Sequence, residues 1–153
     1  MHPPRPPATP WPSPSTISII STRRTSPPIR RPCTKSNWGA FMTALRDDVT
    51  ADRRFELVPS SCAPNCPTDG PALGDRLRAA SQAGTQILII GIVHKLSTLV
   101  QGVRIAAIDT TAQRVVFRKY FQFRGDNDEA WQRAERFVSE EVRDRLLESR
   151  SQQ

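Results

Sequence analysis

His94, Lys95, Ser97, Thr98 and Gln101 form the densest run of side chains able to do chemistry. An imidazole beside a hydroxyl can take its proton as the oxygen attacks, so His94 with Ser97 and Lys95 has the parts of a base and a nucleophile. Nothing in the run supplies the third group that would orient the imidazole. No catalytic residue is therefore assigned. His94, Lys95, Ser97, Thr98 and Gln101 are taken as candidate binding residues, with a small hydrolase built on His94 as a second alternative. The chain has no G-x-x-x-x-G-K-[ST] and no G-x-G-x-x-G, so it signals no phosphate cradle and no cofactor. It also lacks G-x-S-x-G and H-E-x-x-H.

Cys62 and Cys66 flank a three-residue loop, and Cys33 is the third cysteine. The pair could form a disulfide in an oxidising compartment or be two loop thiols with no role. Zinc needs two further ligands, and only His2 and His94 exist, so no metal is expected. Asp126-Asn127-Asp128-Glu129 resembles a calcium loop, but the Gly and Glu such a loop needs at its sixth and twelfth positions are missing. Asp126 with Glu129 three residues on fits a helix cap instead. Tyr120, Phe121 and Phe123 beside Arg118, Lys119 and Arg124 could stack bases. Alternation assigns Phe121 and Phe123 to a core face, which argues against it.

The elements that must hold these residues centre on Thr85 to Arg124. Ile87 to Val93 is apolar throughout except Gly91, the pattern of a strand covered on both faces. Leu99 to Asp109 and Arg114 to Arg124 follow with short polar connections and predict an antiparallel meander. In the last run Val115, Phe117, Phe121 and Phe123 share one side, interrupted by Lys119. Gly39 to Asp52 predicts an amphipathic helix through Phe41, Met42, Leu45 and Val49. Phe55 to Val58 predicts a short strand parallel to Ile87–Val93. Ala72 to Ala83 predicts a second helix, stopped by Gly84. A last helix from about Asp128 to Leu147 should bury Trp131, Ala134, Phe137, Val138, Val142 and Leu146. Glu135, Arg136, Glu140, Arg143 and Asp144 should form its wet face. The class is α/β, an α+β sandwich of order α-β-α-β-β-β-α with a mixed sheet.

Charge separates this domain from what precedes it. The net charge is +7. Seven of the 22 basic residues precede Asp47 and no acidic residue does, so from Asp47 on 15 positives face 15 negatives. Ten of 14 prolines lie before Cys33. Residues 1–37 are expected to be a disordered, basic tail, 38–148 a single α/β domain, and 149–153 a disordered end. The domain's layout nevertheless wants a strand before its first helix. Shifted by two bases, Trp11 to Thr22 reads as aliphatic residues followed by an acidic loop. A wrong-frame or misplaced start is thus the second explanation of the tail. A cytoplasmic nucleic-acid binder using that tail is the alternative functional reading. No stretch is long and apolar enough to span a bilayer, and no secretory signal is seen.

The block I-V-H-K-L-S-T-L-V-Q-G-V-R-I-A-A-I-D, then R-V-V-F, then F-R-G-D-N-D-E-A-W-Q-R-A-E-R-F resembles an uncharacterised family of proteobacterial domains. The match covers about Ala40 to Leu147. These domains are similar to the amino-terminal domain of TolB and to the CsgG-like fold. The resemblance implies an exported, periplasmic α/β sandwich, a Cys62–Cys66 disulfide, no known activity and no carried-over catalytic residue. It implies a non-enzymatic cell-envelope module that binds or assembles with another envelope protein, with nucleic acid an unlikely partner and the oligomeric state open. Family members begin with a strand of the type A-V-F-D-F followed by an Asp-Thr-Ser loop. Neither is found here in the frame as given.

Overall fold

A computed structural model describes residues 15–23, 33–51, 53–58 and 71–151. The order is β1 (Ser15–Arg23), α1 (Cys33–Thr50), β2 (Phe55–Leu57), α2 (Pro71–Gln82), β3 (Ile87–Lys95), β4 (Val100–Asp109), β5 (Arg114–Arg124) and α3 (Asp128–Ser151). The α/β class and the β3–β4–β5 antiparallel meander are as expected. One five-stranded sheet runs β2-β1-β3-β4-β5.

The first strand is the main correction. β1 lies inside the expected tail and is an interior strand of the sheet, parallel to β2 on one side and to β3 on the other. Phe55–Val58 runs parallel to Ile87–Val93 as expected, with β1 standing between the two. The physical reason is the short pattern S-T-I-S-I-I-S-T-R. Ile17 and Ile19 point to one face and Ile20 to the other, and all three are buried. The prolines fall at positions 12 and 14 before the strand and 27 and 28 after it, where no ladder bond is lost. The Thr16 hydroxyl donates to the Gly84 carbonyl at 2.6 Å, and the Gln86 amide donates back to Thr16 Oγ1 at 3.1 Å. The residues as given thus supply the strand that had motivated a frame change. Helix α1 also begins earlier than expected, at Cys33, and α3 continues to Ser151. Residues 1–14, 24–32 and 152–153, where the rest of the expected tail and C-terminal end fall, lie outside the described residues, as do Cys62 and Cys66.

Helices α1 and α3 cover one face of the sheet. Trp38, Phe41, Met42, Leu45 and Val49 of α1 meet Trp131, Val138, Val142 and Leu146 of α3 over Ile17, Ile19, Ile89, Val103, Ile105, Ala107 and Phe121. Each such side chain removed from water stabilises the fold by roughly 1.5–3 kcal/mol. Gly91 lets Met42 lie against the sheet, since a Cβ there would stand 3.1 Å from its sulfur. On the other face α2 sets Leu77 and Leu73 against Ile20, Leu88, Ile90 and Ile108. That smaller layer leaves the β4–β5 half of its face open, with Arg104, Arg118, Tyr120, Gln122 and Arg124 exposed.

Three expectations about facing change. A β-bulge opposite Ala107–Ile108 shifts the phase of β5, so Val115 leaves the core face and is exposed. Phe137 is 59% exposed rather than buried, although its ring meets Phe121 edge-on at 5.9 Å. Glu135, expected on the wet face, is buried.

Candidate functional site at the β3–β4 turn

The five residues singled out by chemistry gather at one end of the sheet but do not form one cluster. In the β3–β4 register His94 lies opposite Gly102, and Lys95 opposite Gln101. Strand pleating therefore sends His94 to the α2 side and Lys95 and Gln101 to the α1–α3 side. Ser97 and Thr98 are exposed in the turn. A catalytic group uniting His94 with Lys95 is not what the pleat produces.

Each residue has a definable task. The Ser97 hydroxyl oxygen accepts from the Leu99 and Val100 amides at 3.2 and 3.1 Å. The Leu96 and Ser97 amides both donate to the Val100 carbonyl, and the Gly125 amide donates to the Leu99 carbonyl at 2.8 Å. The turn is thus closed by its own backbone and tied to the start of α3. Gly125 has φ +104°, a conformation suited to glycine, and a Cβ there would meet Ala130 at 2.8 Å. Lys95 Nζ donates to Asp126 Oδ2 at 3.1 Å, with both side chains 21% exposed. The other Asp126 oxygen accepts from Trp131 Nε1 at 3.0 Å.

Asp126 was expected to cap α3, and the structure gives that task to Asn127. Its Oδ1 accepts from the Ala130 amide at 2.8 Å, while Glu129 pairs with Arg133 instead of closing a capping box. Asp126 is the brace between sheet and helix. Gln101 is wholly buried, and its amide has no hydrogen-bond partner among the described residues. Thr98 makes no described side-chain bond that would occupy it.

The turn's apolar residues were missed. Leu96 is 52% exposed and Leu99 66% exposed. Two leucines held in water by a hydrogen-bonded turn are a projecting apolar knob rather than a loose loop. Exposure is not visible in sequence, but two leucines inside a short polar connection were the available signal.

A second feature lies nearby. A groove of about 440 Å³ runs between α1 and α3, lined by Phe41, Trp131, Asp128, Gln132 and Glu135 among others. Burial pushes the Glu135 carboxyl up to about 7, opposed by its bond from Ser139 Oγ and reinforced by a shared hydrogen bond with Asp48 on α1. Glu141 on α3 is shifted the other way, held below the usual carboxylate range by Lys119 of β5 and by Arg145. Among the described residues no three His, Cys, Asp or Glu side chains stand together as metal ligands, and no described helix is long and apolar enough to cross a membrane.

The fold is shared with solved structures at low identity. The chain is similar to TolB from Acinetobacter baumannii at 12% identity and a TM-score of 0.55, covering 87% of this chain and 28% of that one. It therefore corresponds to under a third of TolB's length. It is similar to PelC from Paraburkholderia phytofirmans, crystallised as a dodecamer, at 12% identity and a TM-score of 0.55 over 86% of both chains. A lipoprotein from Neisseria meningitidis is similar at 9% identity and a TM-score of 0.51, over 73% of this chain and 81% of that one. Comparison with curated proteins finds no match. A family model described as "Protein of unknown function (DUF2380)" matches residues 18–142, from within β1 to within α3. The uncharacterised, TolB-like domain expected from the strand-end and F-R-G-D-N-D-E-A-W blocks is thereby met: the chain belongs to this family of unknown function.

Proposed function

We propose that this chain is a non-enzymatic module of the cell envelope that binds or helps assemble another envelope protein, and that the β3–β4 turn is where it does so. The observation that carries the reading is the pair Leu96 and Leu99, exposed on a turn whose backbone is closed by hydrogen bonds. Ordering a loose loop on binding costs about 1–2 kcal/mol per residue, and a turn already held avoids most of that. Burying both leucines against a partner would contribute about 3 kcal/mol or more. Thr98, Lys95 and His94 would form the polar rim around them. The envelope part of the reading is supported by the likeness of fold to TolB and to a lipoprotein. A periplasmic location would let Cys62 and Cys66 form a disulfide.

The test places a photo-crosslinking residue at Thr98 and, as control, at Arg78 on α2, in a bacterium exporting the protein to its periplasm. An adduct from Thr98, absent from Arg78 and lost in the Leu96→Asp, Leu99→Asp double variant, is the expected result. Adducts that ignore the leucines would overturn it.

A further inference from the structure

β5 closes one side of the sheet order, and no described strand pairs with its outer edge. A strand edge presents unpaired N–H and C=O groups to any extended chain that approaches. The bulge disturbs only the beginning of β5; Phe117 to Arg124 pair regularly with Val100 to Ala107. This regular part is long enough to template a partner strand.

The two faces beside that edge differ in chemistry. On the open face stand Arg118, Tyr120, Gln122 and Arg124, with Arg104 from β4 beside them. The Arg104 guanidinium sits 5.9 Å from the Tyr120 ring centre, and Gln122 Nε2 donates to the Tyr120 hydroxyl at 3.2 Å. Neither β4 nor β5 sends an acidic side chain to this part of the face between Gly102 and Ala106 or between Phe117 and Arg124. Arg104, Arg118 and Arg124 have no acidic partner among the described residues. On the other face Phe121 is flanked by the exposed ring of Phe137, which α3 holds out beside the edge strand. Lys119, also on that face, is already taken by Glu141 at 2.6 Å.

We propose that the outer edge of β5 accepts an extended segment of a partner protein in which acidic residues alternate with apolar ones. Side chains of an added strand alternate between the two faces. Every second residue would lie beside Arg118 and Arg124, and the residues between would lie against the exposed ring of Phe137. Arginine without a counter-ion selects carboxylates, and an exposed aromatic shelf selects apolar groups. A second copy of this chain is a poor occupant, since pairing two β5 edges would set one arginine stripe beside another. The inference rests on the protein-binding reading of the domain and adds a second surface with its partner's chemistry.

The test uses the full chain and three labelled nine-residue peptides. One alternates Glu and Val, one alternates Lys and Val, and one is the Glu–Val peptide with every backbone nitrogen methylated. Fluorescence anisotropy should show the Glu–Val peptide binding at least about tenfold tighter than the Lys–Val peptide, a gap that a pair of charge contacts can supply. Methylation, which removes ladder donors and keeps every side chain, should abolish binding. Arg118→Glu with Arg124→Glu should reverse the charge preference. Phe137→Ser should weaken the Glu–Val peptide about threefold while keeping that preference. Equal binding of the methylated peptide overturns the strand pairing. Tighter binding of a single-stranded oligonucleotide than of the Glu–Val peptide overturns the choice of partner. Crosslinking from Thr98 reads the turn and peptide anisotropy reads the edge, so failure of the turn and failure of the edge are read separately.

Discussion

Replacing Glu135 by Gln should make the protein more stable above neutral pH and leave it unchanged in acid. Glu135 lies buried between α3 and α1, bonded to Ser139 and to Asp48. Its carboxyl is raised from the ordinary 4.5 to about 7, first by loss of water and then by Asp48. Between these two values the folded protein holds a proton at Glu135 that the unfolded chain has released. Stability therefore falls as pH rises from about 4.5 to 7 and levels off above. The span corresponds to roughly 3 kcal/mol. Gln reproduces the neutral acid in shape, accepts from Ser139 and donates to Asp48. Urea unfolding at pH 5, 6, 7 and 8 measures both proteins. The expected outcome is equal stability at pH 5 and a gain of about 2–3 kcal/mol for Glu135→Gln at pH 8, with the parent's slope removed. Asp48→Asn should flatten the parent's slope only in part, because burial remains. Parallel curves for the parent and Glu135→Gln, whatever their separation, would refute the assignment of a buried, protonated carboxyl.

Asp126→Ala removes the acceptor of both Lys95 and the Trp131 indole N–H, and should cost about 2–3 kcal/mol in chemical unfolding; a loss under about 0.5 kcal/mol would mean the brace is dispensable. Ile17→Ala should cost about 2–4 kcal/mol, since Ile17 is wholly buried on an interior strand, whereas a residue in a disordered tail would cost nothing. Gly102→Ala should be destabilising by about 1–2 kcal/mol in the parent, because a Cβ there would collide with the Tyr120 hydroxyl. In a Tyr120→Ala background the same change should cost much less, and a double-mutant cycle without coupling would contradict the contact. If the protein resides in an oxidising compartment, intact-mass measurement before and after reduction should show two hydrogens gained at Cys62 and Cys66, and peptides with both thiols free would count against that location.

The meander was legible because its side chains carry their environment. Ile87 to Val93 has to be apolar on both faces when α1 and α3 cover one and α2 the other. β1 was not legible for the opposite reason. Its serines and threonines alternate with isoleucines over only nine residues, inside a proline-rich surround that dominates any average. Its evidence is the pairing with β2 and β3, which is not local. Glu135 was within reach: 131, 135, 138 and 142 follow the helical stripe occupied by Trp131, Val138 and Val142. Its charge outweighed its phase. Phe137 was misassigned in the same way, by hydrophobicity against phase. Of the candidate site, residue types pointed to the right turn, but which face each side chain takes depends on the pleat. The two exposed leucines that matter most in the turn are invisible until exposure is known.

The position of β1 has a consequence for how the chain is made. Ile17 pairs with Leu57 on β2, 40 positions later, and with Ile87 on β3, 70 positions later. At roughly 5–20 residues per second, a nascent β1 waits about 4–14 s for its second neighbour to be synthesised. Throughout that interval β1 has only the three-residue β2 to pair with, and most of the sheet on which α1 packs is not yet made. The first strand to be translated thus waits for its longer neighbour β3. A chain of this topology gains from being kept unfolded until β3 has been synthesised.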